Sequence, residues 1–167
     1  MIQAAKDSFF SALNDRLAIL NPLRSVVIEG VVRPAVLVVE NELATTAPTQ
    51  PNTFYLTWNA TGHAKGSLNV PQPLLEIGCH IAYWTEGSDA LSYQDRGRSL
   101  GALDEELLAI TTPDNAKLQD FTVTPPANLA TAIFWTAPEL GKIIEDGRRL
   151  LRDATIKVFY FFELNGL

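Results

Sequence analysis

The chain has 167 residues, 47% apolar and 19% charged, which predicts one folded domain with a sizeable core and argues against intrinsic disorder. Its formal net charge of −6 disfavours sequence-specific nucleic acid binding, which depends on basic side chains that displace counterions from phosphates. Cys79 is the single cysteine, so no internal disulfide can form and a reducing compartment is expected. No apolar run suits a signal peptide or a membrane span, so we expect a cytoplasmic protein with no membrane partner.

The first two predicted elements are a helix and a β-rich segment. Apolar residues recur at helical spacing over residues 2–20, and Asn21 with Pro22 should end that helix. The β-branched segment 25–40 then predicts two strands, interrupted at Arg33 and Pro34.

Two loops and two strands follow. Residues 44–52, with two prolines and no charge, predict an exposed loop that leads into the strand TFYLTWN. The long loop 60–73 has two glycines and two prolines, and a connection of this length is often functional or mobile. Its basic side chains are His63 and Lys65.

The next strand, within LLEIGCHIAYWTEG, shows strict alternation. Cys79 should face the core with Leu75, Ile77 and the other odd-numbered residues, whereas His80 points to the opposite face. The two side chains therefore cannot share a metal, and no ligand spacing elsewhere supplies a site, so we predict no metal and no cofactor.

Residues 92–110 predict the second principal helix. Its leucines form an apolar docking stripe, and Gly97 suggests close approach to a neighbouring element. Ser92 and Asp95 are spaced as in a helix N-terminal cap. Asp95 and Arg98 could form an i,i+3 pair, and Arg98 lies two turns from Glu105 on a similar face. The charges suit a solvated face or a polar rim between subunits.

The C-terminal part is proline-rich over 113–126 and continues through the short strand TAIFW. Residues 139–152 allow either a helix or an Asp146–Gly147 hairpin with a type I′ turn; we favour the hairpin, because two glycines weaken the helix. Arg148, Arg149 and Arg152 form a basic cluster that the flanking acids, Glu145, Asp146 and Asp153, should neutralise by pairing. The three tryptophans are expected to pack in the core or at an interface.

No catalytic motif accompanies these elements. Ser67 and Ser88 lack the G-x-S-x-G context of a nucleophile elbow, and TGHAKGS lacks the residue order of a phosphate-binding loop. We therefore predict that the protein is not an enzyme. The predicted architecture is a single α+β domain over residues 1–167, with a mainly antiparallel or mixed sheet packed against two principal helices, 2–20 and 92–110.

The order of these elements, with IAYWTEGSDALSYQDRGRSLGALDEELL at its centre, resembles tailed-phage head–tail connector proteins, in particular the tail terminator or tail completion group. The resemblance implies a structural virion or prophage protein without catalytic residues. It also implies a ring-shaped homo-oligomer, a hexamer, that caps the tail tube and joins it to the head, with tail tube and head-completion proteins as partners. DNA would pass through the ring, and acidic residues on its inner wall would reduce sticking by charge repulsion.

Under this resemblance the candidate subunit-interface residues belong to the charged helix and the long loop: Asp95, Arg96, Arg98, Glu105, His63 and Lys65. The protein would lie in the bacterial cytoplasm during assembly and in the virion afterwards. Two alternatives remain open. One is a small cytoplasmic hydrolase with a nonlocal Ser/His/Asp site, and the other is a monomeric binding module.

Overall fold

The computed structural model describes residues 1–44, 49–66 and 72–161. Its helices are α1 (Ile2–Leu20), α2 (Val39–Glu42) and α3 (Arg96–Ile110), and Asp89–Leu91 form a 3-10 turn. Its strands are β1 (Ser25–Ile28), β2 (Val31–Pro34), β3 (Val36–Val38), β4 (Phe54–His63), β5 (Leu74–Thr85), β6 (Ala116–Asp120), β7 (Ala127–Trp135), β8 (Glu139–Leu140), β9 (Ile144–Asp146) and β10 (Arg149–Phe161).

The main sheet has the strand order β3-β4-β5-β10-β7-β6. Its β3–β4 pair is parallel and the others are antiparallel, so the sheet is mixed. β10 pairs with β5 along one edge, while β9, β8 and β7 pair in turn along its other edge. The predicted α+β fold, a mixed sheet with two principal helices, is confirmed.

Both long helices pack on the same face of this sheet. α1 buries Ala5, Phe9, Leu13 and Leu17 at a spacing of four residues, and α3 buries its predicted stripe of Leu100, Leu103, Leu107 and Ile110. The sheet contributes alternate residues, and Cys79 is 0% exposed as the strand pattern predicted. The core is therefore one apolar layer between two helices and one face of the sheet.

Among the described residues, the opposite face of the sheet is covered by an apolar cluster at one corner. There Val26, from the inner face of the β1–β2 hairpin, packs in a smaller cluster with Ala35, Leu37 and Tyr55. The sequence predicted two strands in this segment and placed the interruption at Arg33–Pro34, but three strands form. The chain reverses earlier, at Glu29 and Gly30, whose φ angles of 50° and 80° suit a type I′ turn, and a second break follows Pro34.

β4 is longer than predicted, because a bulge between Trp58 and Thr61 lets pairing with β5 continue to His63. The expected loop start at residue 60 is therefore wrong, and the described connection begins at Ala64. Residues 67–71 of that loop, including Ser67, and residues 45–48 of the preceding one lie outside the described residues.

Residues 139–152 form the hairpin rather than the helix. Asp146 still pairs with Arg149, so the two turn residues are Gly147 and Arg148. Only Gly147 has a positive φ, which fits a type II′ turn and corrects the predicted type I′ turn. The proline-rich segment also contains β6, a strand that the sequence did not predict. The predicted strand TAIFW is the end of the longer strand β7.

Candidate subunit interface

The N-terminal end of α3 differs from the predicted cap. The helix begins at Arg96 rather than Ser92, because Ser92 and Tyr93 both adopt left-handed φ angles that a helix cannot contain. The Asp95 carboxylate accepts a hydrogen bond of 2.8 Å from the Ser88 backbone N–H, four residues before the expected cap. Asp95 thus ties the 3-10 turn to the helix.

Arg96, a second predicted interface residue, is also engaged within the subunit. Its Nη1 donates to the Gly147 carbonyl at 3.0 Å, and its Nη2 pairs with Glu145. These contacts join the start of α3 to the β9–β10 turn. Asp95 and Arg96 therefore position the helix inside the subunit.

Arg98 and Glu105 behave differently, because both are exposed on the outer face of α3. Within the described ranges, neither side chain forms an ion pair or a hydrogen bond, so the expected Asp95–Arg98 pair is absent. A Cβ placed on Gly97 would meet nothing within 4 Å, so its predicted close approach is wrong as well. The Arg98 and Glu105 side chains therefore have no charged partner among the described residues.

Beneath α3 lies a polar network that the sequence did not reveal. The Tyr83 hydroxyl donates to Asp104 at 2.5 Å, and Arg152 Nη1 donates to the other oxygen of that carboxylate at 2.6 Å. Arg152 Nε also donates to the Gly141 carbonyl at 2.9 Å. Burial and the bond to Asp104 raise the pKa of Tyr83. The network attaches the middle of α3 to β5 and β10.

The other end of α3 is fixed by basic side chains of the N-terminal segment. Arg24 binds both oxygens of Glu106, at 2.7 and 3.0 Å, and this bidentate geometry orients the helix. Arg16 donates to the carbonyls of Ile110 and Thr112 at 3.0 and 2.8 Å, which satisfies acceptors at the helix C-terminus. α3 is thus held at its start, middle and end.

Two arginines of the basic cluster, Arg149 and Arg152, form ion pairs, but not with their sequence neighbours. Arg152 pairs with Asp104, whereas Arg149 pairs with Glu86 at 3.3 Å and lies 4.3 Å from the ring centre of Trp84. Arg148 lies over the Tyr93 ring beside an open polar cavity of about 690 Å³. Tertiary contacts, not flanking acids, provide these partners.

His63 and Lys65 lie at a second surface. Both line a concavity of about 580 Å³ with Glu76, Lys157 and Phe159, in which Lys157 pairs with Glu76 at 3.0 Å. Arg149 and Phe159 are ten residues apart on β10, about 33 Å at the usual rise of a strand. The six predicted interface residues therefore fall on two separated surfaces.

A histidine–carboxylate pair lies on the open face of the sheet. His80 Nε2 is 2.9 Å from Asp153, and the register places Thr57 and Thr155 on the strands either side of His80. In the described part of the chain no serine is hydrogen-bonded to either histidine. The Ser/His/Asp convergence that the hydrolase alternative requires is not formed by the described residues.

Among the described residues, no group of three or more His, Cys, Asp or Glu side chains could hold a metal ion. Among the helices of these ranges, none has both the length and the apolar character needed to cross a lipid bilayer. No protein-family model matches the chain, and no curated protein matches it either.

Proposed function

We propose that the chain is a structural, ring-forming subunit of the tail terminator or tail completion type, which caps a phage tail tube and joins it to the head. The observation that carries this proposal is a run of exposed aliphatic side chains over residues 19–32. Ile19 is 84% exposed, Leu23 91%, and the cross-strand pair Val27 and Val32 53% and 66%. Contiguous exposed apolar residues are typical of surfaces that another protein covers.

The position of these side chains strengthens the argument. Val27 and Val32 lie directly opposite each other on the outer face of a two-stranded hairpin, while Val26 and Ile28 on its inner face pack against the small cluster. Two-stranded hairpins are marginally stable alone, so a partner on the outer face would stabilise this one. A subunit contact at the hairpin accounts for aliphatic residues on both of its faces.

A closed ring also requires two different surfaces on each subunit, because its contacts are head-to-tail. The outer face of the β1–β2 hairpin supplies one such surface, and the concavity lined by His63 and Lys65 supplies a candidate for the other. Two different surfaces on one subunit are compatible with ring closure. In this proposal the partners are further copies of the chain, the tail tube and head-completion proteins, and assembly takes place in the bacterial cytoplasm.

The proposal is tested by the mass and shape of the assembled protein. Light scattering over a concentration series and negative-stain electron microscopy should show closed rings, formed alone or on tail tubes of the encoding phage. Val27→Asp with Val32→Asp should abolish rings and leave the subunit folded, because both side chains are exposed. Ile143→Asp is the matched control: Ile143 is also 53% exposed but lies outside the hairpin, so its rings should persist.

Failure to form rings under all these conditions would reject the proposal. A chain that stays monomeric and binds another ligand would favour the binding-module alternative. Hydrolysis that is abolished by His80→Ala would favour the hydrolase alternative, since His80–Asp153 is the described histidine–carboxylate pair.

A further inference from the structure

The outer face of α3 carries a charge pattern that is complementary to itself. Arg98, Ala102, Glu105 and Ala109 follow one another at intervals of four, three and four residues and so form one stripe. This stripe lies opposite the buried leucines of the same helix. Arg98 and Glu105 are exposed and have no ion pair or hydrogen bond with any described side chain, so both charges are available to a partner.

The middle of the stripe is made of small residues. Gly101 and Ala102 lie midway between Arg98 and Glu105, and a Cβ added to Gly101 would meet nothing within 4 Å. A second helix can therefore approach to the usual distance of about 8 to 10 Å between axes. The two charges are seven residues apart, about 10 Å along the helix.

We propose that α3 packs antiparallel against α3 of a second copy of this chain, across a two-fold axis at Gly101 and Ala102. Rotation about that axis places Arg98 beside Glu105 of the partner and Glu105 beside Arg98 of the partner. One type of contact is thus made twice, as in isologous dimers. A parallel arrangement would instead bring like charges together.

The concavities around Arg98 and Glu105 also match each other across the proposed two-fold axis. A concavity of about 370 Å³ surrounds Arg98 and includes the exposed Leu91, and one of about 280 Å³ surrounds Glu105 and includes the half-exposed Leu20. The two-fold rotation brings the Leu91 end of one copy to the Leu20 end of the other. Apolar and charged groups therefore meet complementary groups. A single helix face makes a small interface, so the dimer is reversible.

This inference is independent of the proposed ring, which needs head-to-tail contacts. An isologous contact ends at two copies, whereas a head-to-tail contact continues to a ring or a filament. The dimer covers Arg98 and Glu105 but leaves the β1–β2 hairpin free. Hairpin variants therefore test the ring, and α3 variants test the dimer.

Sedimentation equilibrium of the full chain over a concentration series gives the decisive measurement. Without tail tubes, and below the concentration at which rings close, wild type should approach twice the subunit mass of 18.3 kDa. Arg98→Glu and Glu105→Arg should each weaken dimerisation about tenfold or more, because each replaces two attractive pairs by two repulsive ones. The double variant Arg98→Glu/Glu105→Arg should restore the wild-type mass, since the exchanged charges attract again.

The sharpest result comes from mixing the two single variants. One copy then carries two acidic residues on its stripe and the other two basic ones, so an equimolar mixture should form a heterodimer although each variant alone is monomeric. Lys142→Glu is the control, because it makes the same change in net charge at an exposed residue outside α3. It should dimerise like wild type.

Several results would overturn the proposal: a monomeric wild type at every concentration, single variants that dimerise normally, or a mixture that stays monomeric. A mass above two subunits that Arg98→Glu abolishes would also overturn it, because the contact would then not be two-fold. Thermal denaturation of every variant confirms that the loss of mass reflects association and not unfolding.

Discussion

The two faces of the main sheet are formed by the same strands, but they differ in burial and polarity. The face beneath α1 and α3 is apolar and closed, and it holds Cys79, Ile156 and their alternate neighbours. The other face holds the His80–Asp153 and Glu76–Lys157 pairs, and among the described residues its apolar cover lies near the β1–β2 hairpin. Stability is therefore expected to depend more on the closed face than on the open face or the outside of α3.

The largest expected effect is on the closed face. Leu103→Ala should lower the free energy of unfolding by about 2 to 5 kcal/mol, because the side chain is fully buried beneath α3 and its loss leaves a cavity. Leu108→Ala is the matched control on the same helix, since Leu108 is 45% exposed, and it should cost less than about 1 kcal/mol. Urea denaturation measures both. Equal costs would contradict the division of α3 into a packing face and a free face.

Tyr83 and Tyr160, both buried on the closed face, allow a comparison within that face. Tyr83→Phe should cost about 1 to 3 kcal/mol, because Asp104 loses the donor that bonds to it at 2.5 Å. Tyr160→Phe should be neutral or stabilising, because the buried Tyr160 hydroxyl has no hydrogen-bond partner among the described residues. Denaturation of both variants at neutral pH provides the test, and the opposite order would contradict the assigned network.

Alkaline pH should lower the free energy of unfolding through Tyr83. Burial raises the pKa of Tyr83 above its ordinary value of 10.0, so the folded chain keeps a phenol proton that the unfolded chain loses. The contribution of Tyr83 is complete below pH 10 and declines as the pH rises further. Unfolding free energies measured at pH 8 and 11 should therefore fall more in wild type than in Tyr83→Phe. Equal falls would exclude Tyr83 as the cause.

The rate of thiol labelling should differ between the two faces of the sheet. Cys79 should react slowly with a thiol reagent in the native protein and rapidly after unfolding, because burial excludes the reagent and raises the pKa of the thiol. The control is Thr155→Cys in a Cys79→Ala background, which places the thiol on the exposed face of β10. Its native labelling should be fast, and slow labelling there would show that the face is covered.

The smallest expected change in the free energy of unfolding is on the open face. Lys157→Ala should change the free energy of unfolding by less than about 1 kcal/mol, because its pair with Glu76 is partly exposed. The difference should shrink further at high salt. A larger loss, measured in parallel with Leu103→Ala, would show that the open face contributes to stability as the closed one does.

Local sequence signals settled much of this architecture. The spacing of Phe9, Leu13 and Leu17 predicted α1, and the alternation around Cys79 predicted both β5 and its buried face. The stripe of α3 and the existence of the C-terminal hairpin were predictable for the same reason. Each of these features depends on neighbours within one helix or one strand.

What depends on distant residues was not predictable in this way. The start of α3 is fixed by contacts of Asp95 and Arg96 with residues of the 3-10 turn and the β9–β10 turn. The partners of Arg152 and Arg149, namely Asp104 and Glu86, come from other elements and not from flanking acids. Glu29 and Gly30 were missed as a turn because Glu at a positive φ is an uncommon signal.

The sequence by itself therefore determined the α+β class, the two long helices and the residues that face the core, because periodicity encodes burial within each element. The six predicted interface residues were chosen by charge, and charge alone does not specify a partner. Only the tertiary structure separated them, because pairing depends on which elements meet in space. It placed Asp95 and Arg96 in contacts within the subunit and left Arg98 and Glu105 exposed on the outer face of α3.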